Sequence, residues 1–579
     1  MSLNVMLSNA GSGLRAAQTG LKITSDNIAN VDNARYVRKV VDQQSAAYGG
    51  AGAGVEVAQI RRVADQFLQT ASLDATSGAS NASVMADLMD QVQGLFGLPT
   101  ESHSISSQMQ EMFTAFTQLA GSEPTLASRS SALNATSDFF DRAAQFASGV
   151  RDIVGQAESR VRDDVARANV LMESVAEYNR QISHGVASGS DVTGLQQRQS
   201  EMIDELSGLV DVQLQPTSYG GVVVRAFDGR EIAGLDVSPL TVETVGGEQR
   251  LMVHTTGFPP HDVTNWSKGG SITGYLDFIN NKAPAVTAQL TELTQQVASE
   301  LNRVHNTNSP VPAPAKLEGR AITGTLDAAL ATQSGSTTIG LLDAAGQMTQ
   351  KVDISFTGGT TGTVNGVAFT DAATFLTELN TAMAPASATF VAGRLTLDGG
   401  GSRLAVTSQP SPTTAPGFSH TFGLNDLLVG EAPDVTIRPD ILANPEALSL
   451  AKADLSGAVG GPPVILKGDI RGADALGEAG KNQVNFNAVG GALGGSQSLD
   501  DYVVGFGSNI ARQTDAAFSR KANNDAVLLE ATSRRANVEG VSMDEELIHL
   551  TTYQQAYNAS ARMMQAVSEL YDVLLNLGR

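Results

Sequence analysis

Both ends of this chain carry a seven-residue repeat of apolar or small side chains, spaced alternately four and three residues apart. The N-terminal repeat comprises Leu3, Leu7, Ala10, Leu14, Ala17, Leu21, Thr24 and Ile28. The C-terminal repeat comprises Leu550, Tyr553, Tyr557, Ser560, Met564, Val567, Tyr571 and Leu574. Each repeat predicts a helix with one apolar seam, which is marginal in isolation and requires a partner. Periodicity leaves open whether the two helices pair, within one chain or between chains, or pack separately on a globular core.

Local signals set the limits of the C-terminal helix. Ser542 and Glu545 have the spacing of a capping box, in which their side chains bind free backbone N–H groups at the helix start. Neither Pro nor Gly interrupts the chain from there to Leu577, and Gly578 is the predicted stop.

The segments just inside these ends are also predicted to be helical. No proline occurs between Thr125 and Gln215, which indicates one long helix or two in line. A further heptad pattern comprises Val286, Leu290, Leu293, Val297, Leu301 and Val304. Helices of this length in a chain without membrane spans are typical of rods and bundles.

The middle of the chain has the pattern of β-structure. Asn365-Gly366 lies between alternating residues and predicts a type I′ hairpin, and 222–257 and 390–408 contain further strand candidates. The sequence VPAPA at 311–315 predicts a stiff linker.

These patterns together predict a multidomain α+β protein, with β-rich outer domains inserted into a helical rod. Because helix resumes near Ser498, the two termini are expected to lie together. The predicted domains are a terminal helical domain (1–38 and 541–579), a mainly helical rod domain (39–210, 268–310 and 498–540), a β-rich domain (211–267 and 411–497) and a β-rich variable insert (311–410). The resemblance described below implies that the terminal domain forms an inner tube.

Composition removes several classes of function. The chain of 579 residues has a net charge of −22, which disfavours nucleic acid and anionic membranes as partners. It contains no cysteine, so disulfides and thiolate chemistry are excluded. The start lacks the pattern of a cleaved secretory signal, and no segment is apolar for long enough to span a bilayer.

No catalytic, cofactor-binding or metal-binding residue is predicted. The seven histidines lack the paired spacing of metal motifs, and His549 is read as an ordinary i,i+4 partner of Glu545. The run Gly49–Val57 is a flexible turn into a strand, since no helix follows it as a dinucleotide loop requires. The single tryptophan, Trp266, is expected to anchor a local core rather than to serve as a platform for sugar.

Near the N-terminus, Gly13-Leu14, Gln18, Leu21 and the run SDNIAN (25–30) form a recognisable pattern. It resembles the shared start of flagellar rod, hook and hook-associated proteins, which continues into a turn that contains Tyr36. This chain has Asn33, Ala34 and Arg35 where the family usually has Thr, Pro and Gly.

The C-terminal segment resembles the hook-associated members of that family, through SMDEE (542–546) and YQQAY (553–557). Three internal segments agree with this resemblance: LAGSEPTLASR, LQQRQSEMIDELSGLVDV and HTFGLNDLL, which ends at Leu428. Residues 317–410 are then the part of the chain that the resemblance does not cover.

The resemblance implies a structural protein at the hook–filament junction of the extracellular flagellum. It implies export in an unfolded form through the flagellar type III apparatus, with a cytoplasmic chaperone bound to the C-terminal helix. The implied partners outside the cell are the hook protein, a second hook-associated protein on the filament side and copies of the chain in a ring. The residues expected to mediate subunit assembly are Leu3, Leu7, Leu14, Leu21, Asn27, Ile28, Asn30, Tyr36, Leu550, Tyr553, Gln554, Tyr557, Met564, Val567, Tyr571 and Leu574.

Two other hypotheses remain open at this point. The chain could be a hook or distal-rod subunit of the same family, or it could carry a wall-active enzyme in the β insert.

Overall fold

The structure is a computed structural model that describes residues 3–33, 35–48, 51–98, 100–121, 123–411 and 415–577. Three sequence predictions concern residues outside these ranges: Ala34 of the turn, Gly49 of the glycine-rich run and the helix stop at Gly578.

Long helices occupy both ends of the chain and much of its first half. The helices are α1 (Leu3–Ala29), α2 (Gln66–Phe96), α3 (Ile105–Ala120), α4 (Leu126–Ala187), α5 (Thr193–Leu209), α6 (Ser271–Asp277), α7 (Ala283–His305), α8 (Leu326–Ala331), α9 (Ala372–Met383), α10 (Phe418–Phe422), α11 (Pro439–Ala443), α12 (Arg471–Gly477), α13 (Leu499–Glu539) and α14 (Met543–Leu577).

The strands form small antiparallel sheets, most of them in the middle of the chain. They are β1 (Lys39–Tyr48), β2 (Ala51–Arg62), β3 (Val212–Pro216), β4 (Val222–Ala226), β5 (Glu231–Ala233), β6 (Leu240–Val245), β7 (Glu248–Val253), β8 (His261–Asp262), β9 (Lys316–Glu318), β10 (Gly335–Leu342), β11 (Met348–Gly358), β12 (Thr361–Val364), β13 (Val367–Phe369), β14 (Ser387–Val391), β15 (Arg394–Asp398), β16 (Arg403–Gln409), β17 (Leu428–Val429), β18 (Thr436–Ile437), β19 (Gln483–Phe486) and β20 (Gly495–Ser498). The predicted α+β class, with long terminal helices and a β-rich middle, is confirmed.

The chain divides into two compact units. The first comprises residues 1–89, 154–281 and 514–579, and the second comprises 90–153 and 282–513. The finer four-part division drawn from the sequence stays a prediction.

In the first unit, two asparagines of α4 hold the edges of two small sheets. The Asn179 amide donates to the carbonyls of Val222 and Gly234, over 2.7 and 2.8 Å, and its oxygen accepts from the Val222 N–H. Asn169 binds the N–H and the carbonyl of Leu240 in the same way. The sheets β3–β4–β5 and β6–β7–β8 are therefore fixed to the helix by side-chain amides.

In the second unit, a five-stranded sheet of order β13-β12-β11-β10-β16 forms most of the insert. Its core is aromatic: the Phe369 and Phe375 rings lie 5.1 Å apart, and the Phe418 and Phe422 rings lie 4.8 Å apart. The predicted hairpin is confirmed, because Asn365 and Gly366 have φ angles of 47° and 82° between β12 and β13.

The long proline-free stretch contains two helices, and the first of them runs unbroken over the 62 residues of α4. Three local expectations were wrong or incomplete. The segment 311–315 is packed rather than free, since Ala313 is buried and the Pro314 carbonyl accepts from the Leu404 N–H. Trp266, expected to anchor a local core, is 54% exposed. The hairpin β1–β2 lies in a region expected to be mainly helical.

Candidate assembly interface

The first and last helices pack against each other as an antiparallel pair, here called the terminal helix pair (α1 and α14). Gly13 lies opposite Ser560, and Gly20 lies opposite Tyr553. Seven residues separate the members of this row on each helix, which is the spacing of a coiled-coil seam. The sequence repeats therefore meet within one chain.

Glycine is required for this close approach. A Cβ atom on Gly20 would lie 2.6 Å from the Tyr553 ring, and one on Gly13 would lie 2.8 Å from the Ser560 hydroxyl oxygen. Both distances are too short for van der Waals contact. The helix backbones can approach this closely only because the row lacks side chains on the α1 side.

The base of the pair is held by a buried polar group, the Asn27 cluster (Asn27, Tyr36, Lys39 and Glu546). The Asn27 amide nitrogen donates to the Lys39 carbonyl over 2.9 Å and to Glu546 Oε1 over 3.0 Å. Its oxygen accepts from the Tyr36 hydroxyl over 2.9 Å and from the Lys39 N–H over 3.1 Å. Asn27 thus uses its full hydrogen-bonding capacity while only 1% exposed.

The electrostatics of the cluster keep Tyr36 protonated. Burial, with contributions from Asp26 and Glu546, raises the pKa of Tyr36 to about 12. The Tyr36 hydroxyl therefore acts as a permanent donor to Asn27 at neutral pH. Beside the cluster, Arg38 forms an ion pair with Glu545, for which the sequence predicted a capping role.

A second polar group continues from this base. Arg62 donates to the Gln196 carbonyl and the Ser200 hydroxyl, over 3.0 and 3.1 Å, and Gln197 binds the Arg35 carbonyl and the Val37 N–H. Burial lowers the pKa of Arg62 to about 10, although Glu539 opposes the shift. The segment that follows α1 is thereby tied to α5 and to the end of the β1–β2 hairpin.

The hairpin itself packs on α1. The Val55 N–H donates to the Ser12 hydroxyl over 3.2 Å. Gly54 adopts a φ of 103°, and a Cβ atom at that position would lie 2.0 Å from the Ser12 oxygen. The glycine-rich sequence that predicted only a flexible turn therefore also allows close contact with the helix.

The structure places the sequence-predicted assembly residues at three levels of exposure. Asn27, Tyr36 and Val567 are buried. Half-buried are Leu3, Leu14, Leu21, Ile28, Asn30, Leu550, Tyr553, Met564 and Tyr571, and exposed are Leu7, Gln554, Tyr557 and Leu574.

The predicted seam of α1 is buried at Ala10, Ala17 and Thr24, but its large apolar members are not at the closest contact. Leu14, Leu21 and Ile28 flank the contact, whereas Gly13, Gly20 and Asn27 form it. A hydropathy pattern marks large apolar residues, and it cannot show that a helix approaches its partner through glycine. The spacing of Gly13, Gly20 and Asn27 was the available signal. Ser560 was already a member of the predicted C-terminal seam, whereas Glu546 was missed as the partner of Asn27.

Large apolar side chains lie on the outside of α14. Exposed fractions are 66% for Ile548, 51% for Met563, 48% for Leu570 and 54% for Val573. At 3.6 residues per turn these positions fall on one side of the helix, away from the glycine row. A row of exposed apolar residues marks a surface that a further partner covers.

Chemistry is sparse in the described part of the chain. Within the ranges given above, no three His, Cys, Asp or Glu side chains are grouped to hold a metal ion. His549 is exposed, with its ring centroid 6.3 Å from that of Tyr553. No helix in these ranges is both long enough and apolar enough to cross a membrane.

Comparison with known proteins shows a similarity to one group of flagellar proteins. Residues 89–310 match the helical domain of flagellar hook-associated protein FlgK. Over 99% of its length the chain is 24% identical to flagellar hook-associated protein 1 of Escherichia coli (strain K12), all of which is covered. Along nearly its whole length the chain is thus similar to flagellar hook-associated protein 1.

Other relatives show the same similarity. The protein of the same name from Bacillus subtilis (strain 168) is 20% identical, over 98% of this chain and 97% of that protein. The solved structure of the flagellar hook junction protein FlgK from Burkholderia pseudomallei has a TM-score of 0.51 at 15% identity, covering 82% of this chain and 100% of that one. The two chains share a fold.

The ends of the chain match a wider group than its middle. Residues 7–36 match flagella basal body rod proteins, and 535–577 match the C-terminal part of the flagellar basal body rod FlgEFG proteins. The helical domain at 89–310 is therefore the part that separates hook-associated protein 1 from rod proteins. This similarity to flagellar hook-associated proteins indicates a location in the flagellum, in assembly with other axial proteins.

Proposed function

We propose that this chain is a structural adaptor that joins the flagellar hook to the filament and acts by binding, without catalytic turnover. The observation that carries the proposal is the terminal helix pair, which satisfies one face of α14 within the chain and leaves a row of large apolar residues uncovered.

Neighbouring copies of the chain are the proposed cover for this row. Exposure of four large apolar side chains to water is unfavourable. Burial of each one in an interface would stabilise the assembly by about 1 kcal/mol or more. Head-to-tail contacts between copies build rings and helical tubes. An adaptor also needs different surfaces above and below, for which the proposed partners are the hook protein and a second hook-associated protein.

Export in an unfolded form is part of the same proposal. The row of α1 contains glycine, which lowers helix stability by about 1 kcal/mol per residue relative to alanine. The first helix, α1, is therefore weak before it meets its partners. The apolar row of α14 also suits the groove of a cytoplasmic chaperone, which would keep this helix from self-association before export.

A set of substitutions on α14 tests the assembly role. Ile548→Ser, Leu570→Ser and Val573→Ser together should give secreted protein and hooks without filaments, as should removal of 541–579. The matched control replaces the exposed polar residues Gln555, Gln565 and Glu569 by Ser, and should support normal filaments. Normal filaments on the apolar variant would overturn the proposal.

The ordering of the termini has a separate test. The natural chain has no cysteine, and the Cβ position of Gly13 lies 3.7 Å from Cβ of Ser560, within the range for a disulfide. Gly13→Cys with Ser560→Cys should cross-link in assembled flagella. Efficient cross-linking in dilute monomer would contradict the proposal that the termini order only on assembly.

A hook or distal-rod subunit is the second candidate, because both ends of the chain match rod proteins. Purified protein added to isolated hooks distinguishes the two. A junction adaptor adds a cap of limited length, whereas a hook or rod subunit extends a tube.

A further inference from the structure

An apolar groove lies between α2 and α13 in the first unit. Its volume is about 410 Å³, and its lining residues are Phe67, Leu68, Ala71, Ala526, Val527, Glu530, Ala531 and Arg534. We propose that this surface, the Phe67 groove, receives the distal half of α14 (residues 563–573) from a second copy of the chain. The inference rests on the proposed function, since it names the surface of a neighbouring copy that covers part of the apolar row of α14.

The two helices that form the groove are held at a fixed separation. They run antiparallel, because the Lys521 ammonium group donates to the Ser83 hydroxyl over 2.6 Å while Gly78 lies opposite Asn524. A Cβ atom on Gly78 would lie 2.8 Å from the Asn524 side-chain oxygen, so glycine allows the close approach. The walls of the groove are therefore in place before a partner binds.

Large apolar side chains of the groove face water. Phe67 is 80% exposed, although phenylalanine is usually buried. Its position is fixed, since Asp65 Oδ1 accepts from the N–H groups of Phe67 and Leu68 over 2.9 and 3.1 Å and so caps the start of α2. Val527, on the other helix, is 57% exposed. An apolar surface of this kind, held open by the fold, marks a contact with a partner.

The length of the groove matches the distal half of α14. The lining residues of α13 lie within 526–534, which is about 12 Å at 1.5 Å per residue. Met563, Leu570 and Val573 lie on one side of α14 within a length of about 15 Å. The whole row, which begins at Ile548, is roughly 38 Å long. The groove therefore accommodates only the distal half of the row.

Charge favours α14 as the occupant. This helix carries five carboxylates against one arginine. Between Arg512 and Arg535, α13 carries five cations against three carboxylates, in a chain whose net charge is −22. Inside the groove, Arg534 pairs with Glu530 over 2.5 Å, which neutralises that carboxylate. An acidic helix is therefore attracted to this part of α13, which favours binding and fixes its orientation.

The occupant comes from a second copy, because α14 is already held in its own chain. Gly13 and Gly20 bring α1 against one face of α14, and the apolar row lies on the other side. A row on one surface and a groove on another make a head-to-tail contact, in which each copy gives its row to one neighbour and its groove to the next. Such contacts build rings and helical tubes.

Engineered cysteines test the contact directly, since the natural chain has none. Val527→Cys with Leu570→Cys should give covalently linked copies when assembled flagella are oxidised. The matched control is Leu529→Cys with Leu570→Cys. Leu529 is 72% exposed, but two residues along α13 turn its side chain about 200° away from Val527. Absence of linked copies from the first pair, or equal amounts from both pairs, would overturn the inference.

A second experiment separates the groove from the adaptor role. Phe67→Ser with Val527→Ser should give secreted protein, unchanged thermal unfolding and a loss of filaments, because both side chains are exposed in the single chain. Leu529→Ser is the control and should support normal filaments. Normal filaments on the groove variant, beside hooks without filaments on the triple α14 variant described above, would reject the groove and leave the adaptor role standing. Normal filaments on both would reject the adaptor role as well.

Discussion

The terminal helix pair and the β-rich insert are stabilised in opposite ways. The insert places its largest side chains inside, so that Phe369 and Phe375 are at most 1% exposed. The helix pair places glycine and serine at the contact and leaves Ile548 and Leu575 outside, 66% and 69% exposed. The insert contains what it needs to fold, whereas the helix pair is built to be completed by another surface.

The largest expected effect comes from a substitution that creates a cavity in the insert. Phe375→Ala removes a fully buried ring that contacts Phe369, and should lower the free energy of unfolding of the insert by about 4 kcal/mol. Denaturant unfolding followed by near-ultraviolet circular dichroism measures the change. The control Val391→Ala, at a residue 70% exposed, should change stability by less than about 0.5 kcal/mol.

A buried histidine in the second unit makes stability depend on pH. His305 Nδ1 lies 2.6 Å from the Asn425 carbonyl, and Nε2 accepts from the Ser449 N–H over 3.0 Å, so the neutral form fits. Burial lowers the pKa of His305 to about 4, while Arg438 lowers it further and Asp440 opposes.

Because the folded pKa is below that of the unfolded chain, the stability from neutral His305 is complete above pH 6.5. It falls as the pH decreases from 6.5 towards 4, by up to about 3 kcal/mol. Unfolding free energies measured across this range should show the loss, and His305→Gln should reduce the slope. An unchanged slope in that variant would show that other groups cause the acid sensitivity.

The Asn27 cluster should be the most sensitive point of the helix pair. Asn27→Ala leaves the Tyr36 hydroxyl, the Lys39 N–H and Glu546 without a buried partner, and should cost about 2 kcal/mol. Asn30→Ala at the same helix end is the control, since the Asn30 amide donates to the Asp26 carbonyl alone, and should cost less than about 1 kcal/mol. Hydrogen exchange of α1 amides separates the two variants; equal exchange rates would contradict the role of the cluster.

The smallest expected effect tests the glycine row. Gly20→Ala gains about 1 kcal/mol of helix propensity but places Cβ 2.6 Å from the Tyr553 ring, and the clash should leave a net loss of about 1 kcal/mol. Gly155→Ala in α4 meets nothing within 4 Å and should be stabilising by about 0.5–1 kcal/mol. If both variants gain stability, the close approach at Gly20 is not essential to the pair.

Sequence reasoning succeeded where local physics decides the outcome. The heptad repeats located α1, α7 and α14, and Asn365-Gly366 located a hairpin, because these patterns act within a few residues. Prediction from the sequence failed where contacts between distant segments of the chain decide the structure. The exposure of Trp266 depends on what the loop meets, and the β1–β2 hairpin is stabilised by Ser12 of α1, which its own sequence does not indicate.

The sequence by itself determined that this chain has long helices at both ends, a β-rich middle and a resemblance to a flagellar family. Only the tertiary structure decided that α1 approaches α14 through Gly13 and Gly20, and that Asn27 is bound by Glu546 519 residues away. The reason is physical. Periodicity reports which side of a helix is apolar, but the register of two helices depends on the shapes and hydrogen bonds that meet across the contact.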